Sequence, residues 1–317
     1  MNRRLAPLAT LAAAGLALAA CSSGIPSGTS SSGKVTVVAA FYPLEYAAQR
    51  VGGDAVEVTN LVRPGAEAHD LELAPQDVAT VRDAGLTVYV KGVQPALDKA
   101  IEESGGENAY DVSPEADLSQ AAASADDHAG DHGGEAQGHA AGQSGKDPHF
   151  WLDPIRYGAV VIALAHRLGE VDPAHQADYQ RNATALLTDL NALDRELEQG
   201  LATCTSKTLV TSHAAFGYLA DRYGLTQHPI AGLSPEQEPS AARMAEIASF
   251  VRANSVRTIY TETLVSPAIG QTLAKETNVA TAVLDPLEGL SDASAGSNYL
   301  EVMRANLATL KKGQPCP

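Results

Sequence analysis

The stretch DPAHQADYQRNATALLTDLNALDRELEQGL, residues 172–201, predicts the longest helix of the chain. Asp172 suits the N-cap and Pro173 the first helical position, and neither Gly nor Pro then recurs before Gly200. At 1.5 Å per residue, a helix of about 28 residues is about 42 Å long, more than one small domain requires. We therefore interpret it as a link between two lobes. Its apolar residues recur every three or four positions, as on one helix face: Tyr179, Ala183, Leu186, Leu190, Leu193 and Leu197.

Short β-branched runs alternate with helical patterns on both sides of this helix, which is typical of parallel sheets built from βα units. The predicted fold class is therefore α/β, with two lobes that each contain a parallel β-sheet flanked by helices, joined by one long interdomain helix. Residues 34–171 form the predicted N-terminal lobe and residues 202–317 the C-terminal lobe. The predicted strands are 35–40, 56–62, 86–90, 208–212, 257–261 and 280–284, and the first lobe's pattern closes around residues 109–112. The predicted helices beside the long one are 44–51, 75–84, 155–168, 214–223, 240–253, 267–277 and 299–310.

Length and charge narrow the class of protein. The chain of 317 residues is long enough for two domains with their own cores. Lys and Arg total 22 against 38 Asp and Glu, and the net charge of −16 provides no basic surface for nucleic acid. We therefore expect no nucleic-acid partner.

The N-terminus predicts export. Two arginines precede an uncharged Ala/Leu run that ends at Ala20, so residues 1–20 are interpreted as a signal peptide. The sequence Leu18-Ala19-Ala20-Cys21 resembles the lipobox of bacterial lipoproteins, which implies a lipidated Cys21. The alternative is an ordinary signal peptide with a coincidental cysteine. Residues 21–33 then form a flexible tether, and we expect the protein on the outer face of the cell membrane, held by its lipid anchor only.

Cys204 and Cys316 remain as an even pair, which favours a disulfide in an oxidising compartment. A zinc-binding pair is the alternative, but both cysteines lie far in sequence from every histidine cluster.

Four polar side chains stand where a site is expected. His69 lies beyond the second strand, His213 and Asp285 each follow a strand of the second lobe, and His149 opens an ordered segment. Ligands bind at the carboxyl ends of parallel strands, so these groups converge if the lobes face each other across a cleft. Three neutral imidazoles and one carboxylate form a tetrahedral zinc site. The alternative is that each histidine is an ordinary surface or capping residue, and no close pair such as H-E-x-x-H decides between the two.

From Val35 to Leu310 the chain resembles the zinc/manganese substrate-binding lipoproteins of bacterial ABC importers. The resemblance implies that His69, His149, His213 and Asp285 are the metal ligands and that the long helix is the interdomain backbone. It also implies two partners, a membrane permease and its ATPase. The matching stretches are PGAEAHD at 64–70 with Pro75 and Asp77, DPHFWLDP at 147–154, TSHAAFGY at 211–218 and LDPL at 284–287.

His213 is the residue on which the choice of metal depends. Manganese-binding relatives carry a carboxylate there, since a harder ion prefers oxygen, so histidine favours one Zn2+ ion. Some relatives place a glutamate directly before the first ligand, whereas this chain has Ala68 there and Glu67 one position earlier. This departure leaves Asp285 as the expected fourth ligand. We expect Glu67 and Glu262 to support the ligands or to be structural.

The stretch from 115 to 148 has no periodicity and is rich in Ala, Gly and Asp, so it is interpreted as a loop. Its three histidines, which we expect to capture additional zinc weakly, are His128, His132 and His139. The alternative is a solvated insertion with no effect on affinity.

An enzyme is not expected, because three histidines and a carboxylate close the tetrahedron, whereas a catalytic zinc keeps an open position. The predicted function is that of a monomeric zinc receptor that delivers its ion to an importer. A manganese or iron receptor of the same family, and a surface adhesin lipoprotein, are the alternatives.

Overall fold

The computed structural model describes residues 28–104, 106–122 and 145–316. None of the helices in these ranges is long and apolar enough to cross a membrane. The predicted signal peptide, Cys21 and the three loop histidines His128, His132 and His139 lie outside the described residues.

The N-terminal lobe contains a four-stranded parallel sheet with the order β2-β1-β3-β4. Val37 of the central strand pairs with Val58 on one side and with Leu86 on the other. The strands are β1 (Val35–Ala39), β2 (Val56–Asn60), β3 (Leu86–Tyr89) and β4 (Ala109–Asp111). The helices are α1 (Tyr42–Gly52), α2 (Pro75–Asp83), α3 (Pro95–Ser104) and α4 (Ser113–Ala116).

Two long helices follow. A 3-10 turn at Phe150–Leu152 leads into α5 (Pro154–Val171), and a second at Pro173–His175 leads into α6 (Gln176–Leu201). The long helix thus begins a few residues later than predicted. Its buried face is the predicted one: Tyr179, Ala183, Leu186, Leu190, Leu193 and Leu197, continued by Leu201.

The C-terminal lobe repeats the architecture of the first, with a parallel sheet of order β6-β5-β7-β8. Its strands are β5 (Thr208–Thr211), β6 (Thr226–Pro229), β7 (Thr258–Thr261) and β8 (Ala280–Val283). Its helices are α7 (Gly217–Arg222), α8 (Ala241–Ala253), α9 (Ala268–Thr277) and α10 (Tyr299–Gly313). The α/β fold class with two parallel sheets is confirmed.

Of the two apolar cores found among the described residues, the larger runs through both lobes and the smaller lies within the C-terminal lobe. Helix α6 packs against α1 of the first lobe and against α10 of the second. The ring of Tyr299 lies 4.8 Å from that of Tyr157 and 5.6 Å from that of Tyr46, measured between centroids. The Tyr299 hydroxyl donates a hydrogen bond to the carbonyl of Trp151 at 2.6 Å, so the contact between the lobes is directional as well as apolar. A shared core of this kind resists large rotation of one lobe against the other.

Cys204 and Cys316 form a disulfide, as predicted. The bond closes a covalent loop with a sequence separation of 112 residues, and this loop contains the whole C-terminal sheet.

Candidate metal site

Three histidines and one glutamate meet between the two sheets: His69, His149, His213 and Glu288. His69 lies in the connection between β2 and α2, and His149 directly precedes the 3-10 turn before α5. His213 follows β5, and Glu288 lies in the segment after β8. Each lobe therefore contributes two residues, which the chain brings together at the carboxyl ends of the sheets.

The ligand atoms have the spacing of a tetrahedron. Glu288 Oε1 lies 3.0 Å from His149 Nε2, 3.1 Å from His213 Nε2 and 3.6 Å from His69 Nε2. The Nε2 atoms of His69 and His149 are 3.4 Å apart. A tetrahedral zinc with bonds of about 2.0–2.1 Å has ligand atoms about 3.3 Å apart, so these separations fit the ion.

The carboxylate grouped with the three histidines differs from the one expected from the sequence. Glu288 takes the place expected for Asp285, which is not among the four grouped residues. The Asp285 carboxylate instead accepts hydrogen bonds from the Leu287 backbone N–H at 2.8 Å and from the Ser294 hydroxyl at 3.0 Å. An aspartate before a proline commonly forms such a turn, and the Asp285-Pro286 pair was the signal for this role.

Carboxylates contact two of the imidazoles at Nδ1, on the side of the ring away from the site. Asp147 Oδ1 lies 2.7 Å from His149 Nδ1 and also accepts the His149 backbone N–H at 2.9 Å. Glu262 Oε2 lies 2.7 Å from His213 Nδ1, and Glu262 Oε1 accepts the His213 backbone N–H at 3.1 Å. The supporting position expected for Glu262 is thus occupied, whereas the sequence analysis missed Asp147. An acidic residue two positions before a histidine, joined by a proline, was the available signal.

These contacts determine which ring nitrogen faces the site. An ionised carboxylate only accepts, so the proton of each neutral ring lies on Nδ1 and the lone pair of Nε2 points at Glu288. An acceptor facing an acceptor at 3.0 Å is repulsive unless a cation lies between or the ring is protonated. Burial lowers the pKa of His149 and His213, but the surrounding carboxylates outweigh it and raise both, that of His213 strongly. Burial alone would raise the pKa of Glu288, yet the three imidazoles hold it well below its usual range. The buried carboxylates therefore favour a positive charge among the three imidazoles, either a proton or a metal ion.

His69 differs from the other two histidines. Its side chain is 12% exposed, and no described residue hydrogen-bonds to its Nδ1. Glu67 supports it only through the backbone, because Glu67 Oε2 accepts the His69 N–H at 3.0 Å. Burial and the neighbouring Glu288 charge raise the pKa of Glu67 to about 9, so this carboxyl is neutral at pH 7.

The described ends of the predicted 115–148 loop are ordered. Residue 115 belongs to α4, and Ala121 pairs with Lys146 in an antiparallel bridge. The Asp147 backbone N–H donates to the Gln120 carbonyl at 3.1 Å, so the two ends of the loop meet directly before His149.

Comparison with known proteins identifies a family named for zinc uptake, which agrees with the group of three histidines and one glutamate. The family model described as ZnuA, zinc-uptake complex component A periplasmic, matches residues 37–313. The chain belongs to the ZnuA family. The high-affinity zinc uptake system protein ZnuA of Bacillus subtilis is 35% identical over 98% of this chain and 98% of its own length. Members of the family are solute-binding proteins of ABC importers and are not enzymes.

Two streptococcal proteins are also similar to this ZnuA-family chain. The zinc-binding lipoprotein AdcA of Streptococcus pneumoniae is 37% identical over 88% of the chain, which spans only 56% of AdcA. The Zn(II)-bound ZnuA-like domain of AdcA superposes with a TM-score of 0.71, at 34% identity over 89% of this chain and 99% of the domain. The laminin-binding protein Lmb of Streptococcus agalactiae, described as having adhesin and metal-transporting activity, gives a TM-score of 0.74 at 33% identity, with 88% of this chain and 99% of Lmb covered.

Proposed function

We propose that this ZnuA-family protein is the extracytoplasmic receptor of an ABC importer, and that it binds one Zn2+ between its two lobes. The observation that carries the proposal is the buried group of three Nε2 atoms around Glu288 Oε1 at tetrahedral spacing. In this proposal the ligands are His69, His149, His213 and Glu288.

The donor set favours zinc over manganese. Three imidazole nitrogens and one carboxylate oxygen suit zinc, whereas manganese prefers a set richer in oxygen. The supporting carboxylates Asp147 and Glu262 orient two rings and increase their basicity, as is usual around histidine ligands of zinc.

The partners and the anchor follow from the proposed role. A receptor of this family hands its ion to a membrane permease driven by an ATPase, and we propose that this chain does so as a monomer. We propose further that residues 1–20 are removed, that lipidated Cys21 anchors the protein, and that the tether expected over residues 21–33 ends before Gly28, because the Gly28 carbonyl accepts the Thr36 backbone N–H at 3.0 Å. The proposed lobes are residues 34–171 and 202–317, with 172–201 as the link.

Native mass spectrometry of the purified protein, stripped of metal and offered equal zinc and manganese, tests the proposal. We expect one zinc per chain, lost in His213→Ala. His175→Ala serves as a matched control, because His175 pairs with Asp172 at the surface, away from the site. Retained manganese would support the manganese receptor instead, and no retained metal would favour an adhesin that uses none.

The loop needs a separate experiment. We propose that His128, His132 and His139 bind additional zinc weakly and that the main site does not depend on them. Removal of residues 123–144 should therefore leave one tightly bound zinc and abolish further binding at higher zinc. Unchanged weak binding would contradict a role of the loop histidines.

A further inference from the structure

Three Asp-Pro pairs of the chain form the same tight turn. In each, the aspartate Oδ1 accepts the backbone N–H two residues later, since the intervening proline has none to donate. The acceptors and donors are Asp147 with His149 at 2.9 Å, Asp153 with Ile155 at 2.9 Å, and Asp285 with Leu287 at 2.8 Å. The first turn leads directly to a ligand and the second leads into α5. The third directly precedes Glu288.

Asp285 is engaged on every side. It is 2% exposed, and its backbone N–H donates to Asn306 Oδ1 at 2.9 Å while its carbonyl accepts from Asn306 Nδ2 at 2.7 Å. Its second carboxylate oxygen accepts the Ser294 hydroxyl at 3.0 Å. Because Asn306 lies on α10, these bonds tie the segment after β8 to the helix that packs on the central core.

Leu287, which directly precedes Glu288, has an unfavourable backbone conformation. Leu287 has a φ of 61°, in the left-handed region that non-glycine residues rarely adopt, and it is fully buried. Such a conformation persists only where surrounding contacts hold it. The Asp285 carboxylate binds the Leu287 N–H from one side, and Trp151 Nε1 donates to the Pro286 carbonyl at 2.8 Å from the other lobe.

We infer that Asp285 is a positioning residue that holds the turn at 286–287 and thereby places the Glu288 carboxylate among the three imidazoles. This inference rests on the proposed zinc function. A ligand on a preformed turn loses less conformational freedom when the ion binds, so removal of the support weakens binding although Asp285 never touches the ion. Supporting residues of this kind typically change metal affinity about 10- to 100-fold.

Two substitutions of Asp285 test whether this residue positions Glu288 or binds the metal itself. Asp285→Ala removes both carboxylate bonds, and zinc affinity measured by chelator competition should fall about 10- to 100-fold. Asp285→Asn keeps a carbonyl for the Leu287 N–H and offers its amide to Ser294, so it should restore affinity to within about threefold of wild type. The visible absorption of the Co2+-loaded protein should change in Asp285→Ala and remain unchanged in Asp285→Asn.

Asp153→Ala is the matched control, because it breaks the same type of turn where no ligand follows. It should lower the midpoint of thermal unfolding and leave zinc affinity and the cobalt spectrum unchanged. Ser294→Ala is a milder variant in case Asp285→Ala does not fold, and it should weaken zinc binding about three- to fivefold.

The outcomes distinguish this inference from the proposed function. If the wild-type protein binds no zinc, the proposed function fails before any variant is considered. If the wild-type protein binds zinc and Asp285→Ala or Ser294→Ala binds it equally well, the positioning role is wrong. If Asp285→Asn loses as much affinity as Asp285→Ala and also changes the cobalt spectrum, Asp285 is itself a ligand.

Discussion

The two sides of the site are built differently. The side chains of the floor, which consists of His149, His213 and Glu288, are at most 2% exposed, whereas the side chain of His69 on the rim, residues 61–74, is 12% exposed. Floor histidines are each held by a carboxylate at Nδ1, while the rim histidine is supported at its backbone only. The floor is thus preorganised for the ion and draws on both lobes, and the rim completes the coordination from the solvent side.

The largest expected effect is the removal of a floor ligand. Structural zinc sites bind with about 10–16 kcal/mol, which is roughly 10²- to 10³-fold in affinity for each of four ligands. His213→Ala should lose at least this much, because it also removes the imidazole partner of the buried Glu262 Oε2 and one of the three imidazoles around Glu288 Oε1. Chelator competition gives the affinity.

His69→Ala tests the rim in the same assay. Water can take the vacated position at the solvent side, so we expect a loss of only about tenfold. Equal losses in His69→Ala and His213→Ala would remove the distinction between rim and floor.

The next effect concerns the support of the floor. In Glu262→Gln one of the two hydrogen bonds to His213 is lost together with the negative charge, and zinc affinity should fall about tenfold. Glu67→Gln is the matched change at the rim. Because Glu67 accepts the backbone N–H of His69, a hydrogen bond that the glutamine carbonyl can also accept, the substitution should change affinity less than about twofold. A larger loss of zinc affinity in Glu67→Gln than in Glu262→Gln would show that the support of the rim matters more than that of the floor.

A pH series on the apo protein, kept zinc-free with a chelator, should separate Glu67 from the floor. The pKa of Glu67 is raised to about 9, so the folded protein holds a proton that the unfolded chain releases above about pH 4.5. This group therefore lowers the free energy of unfolding as pH rises from about 4.5 to 9. Glu67→Gln removes this pH dependence. The unfolding midpoint of the variant, relative to that of wild type, should therefore rise as the pH is raised from 5 to 9. Parallel midpoints across this range would contradict the raised pKa.

The smallest expected effect is on overall shape. Since α6 and the tyrosines between the lobes form one core, the lobes should keep their relative position when zinc binds. Small-angle scattering of the zinc-free and zinc-bound protein should give the same curve. Amide exchange should slow in residues 61–74 and change little in α5 and α6. A clear decrease in radius of gyration would show that the floor itself assembles on binding.

Periodicity was enough to predict most of the fold. The apolar stripe of residues 172–201 and the β-branched runs identified the linking helix and six of the eight strands found among the described residues. The strands missed were β4, which has only three residues, and β6, whose sequence Thr-Gln-His-Pro has no apolar run and two of whose four side chains are only partly buried. Helix α3 was missed as well, although its buried Leu97, Ala100 and Ile101 have helical spacing.

The histidines of the site were predictable because each stands at a sheet end or in a matching motif. The carboxylate grouped with them was not, since the segment after β8 offers two carboxylates three residues apart. Asp285 was chosen because it directly follows the predicted strand, and the sequence alone does not show where its carboxylate points. The structure shows that its carboxylate turns back to the Leu287 backbone, and this depends on a left-handed residue that no propensity predicts.

The disulfide makes the C-terminal lobe a covalent ring. Both His213 and Glu288 lie inside the ring closed by Cys204 and Cys316, and Asn306, which braces Asp285, lies inside it too. Where thiols stay reduced the ring is open, and the lobe loses about 4–5 kcal/mol of stabilisation by the chain-entropy estimate. An oxidising environment therefore stabilises the lobe that carries His213 and Glu288, and reduction of this one bond should lower the free energy of unfolding of that half of the site.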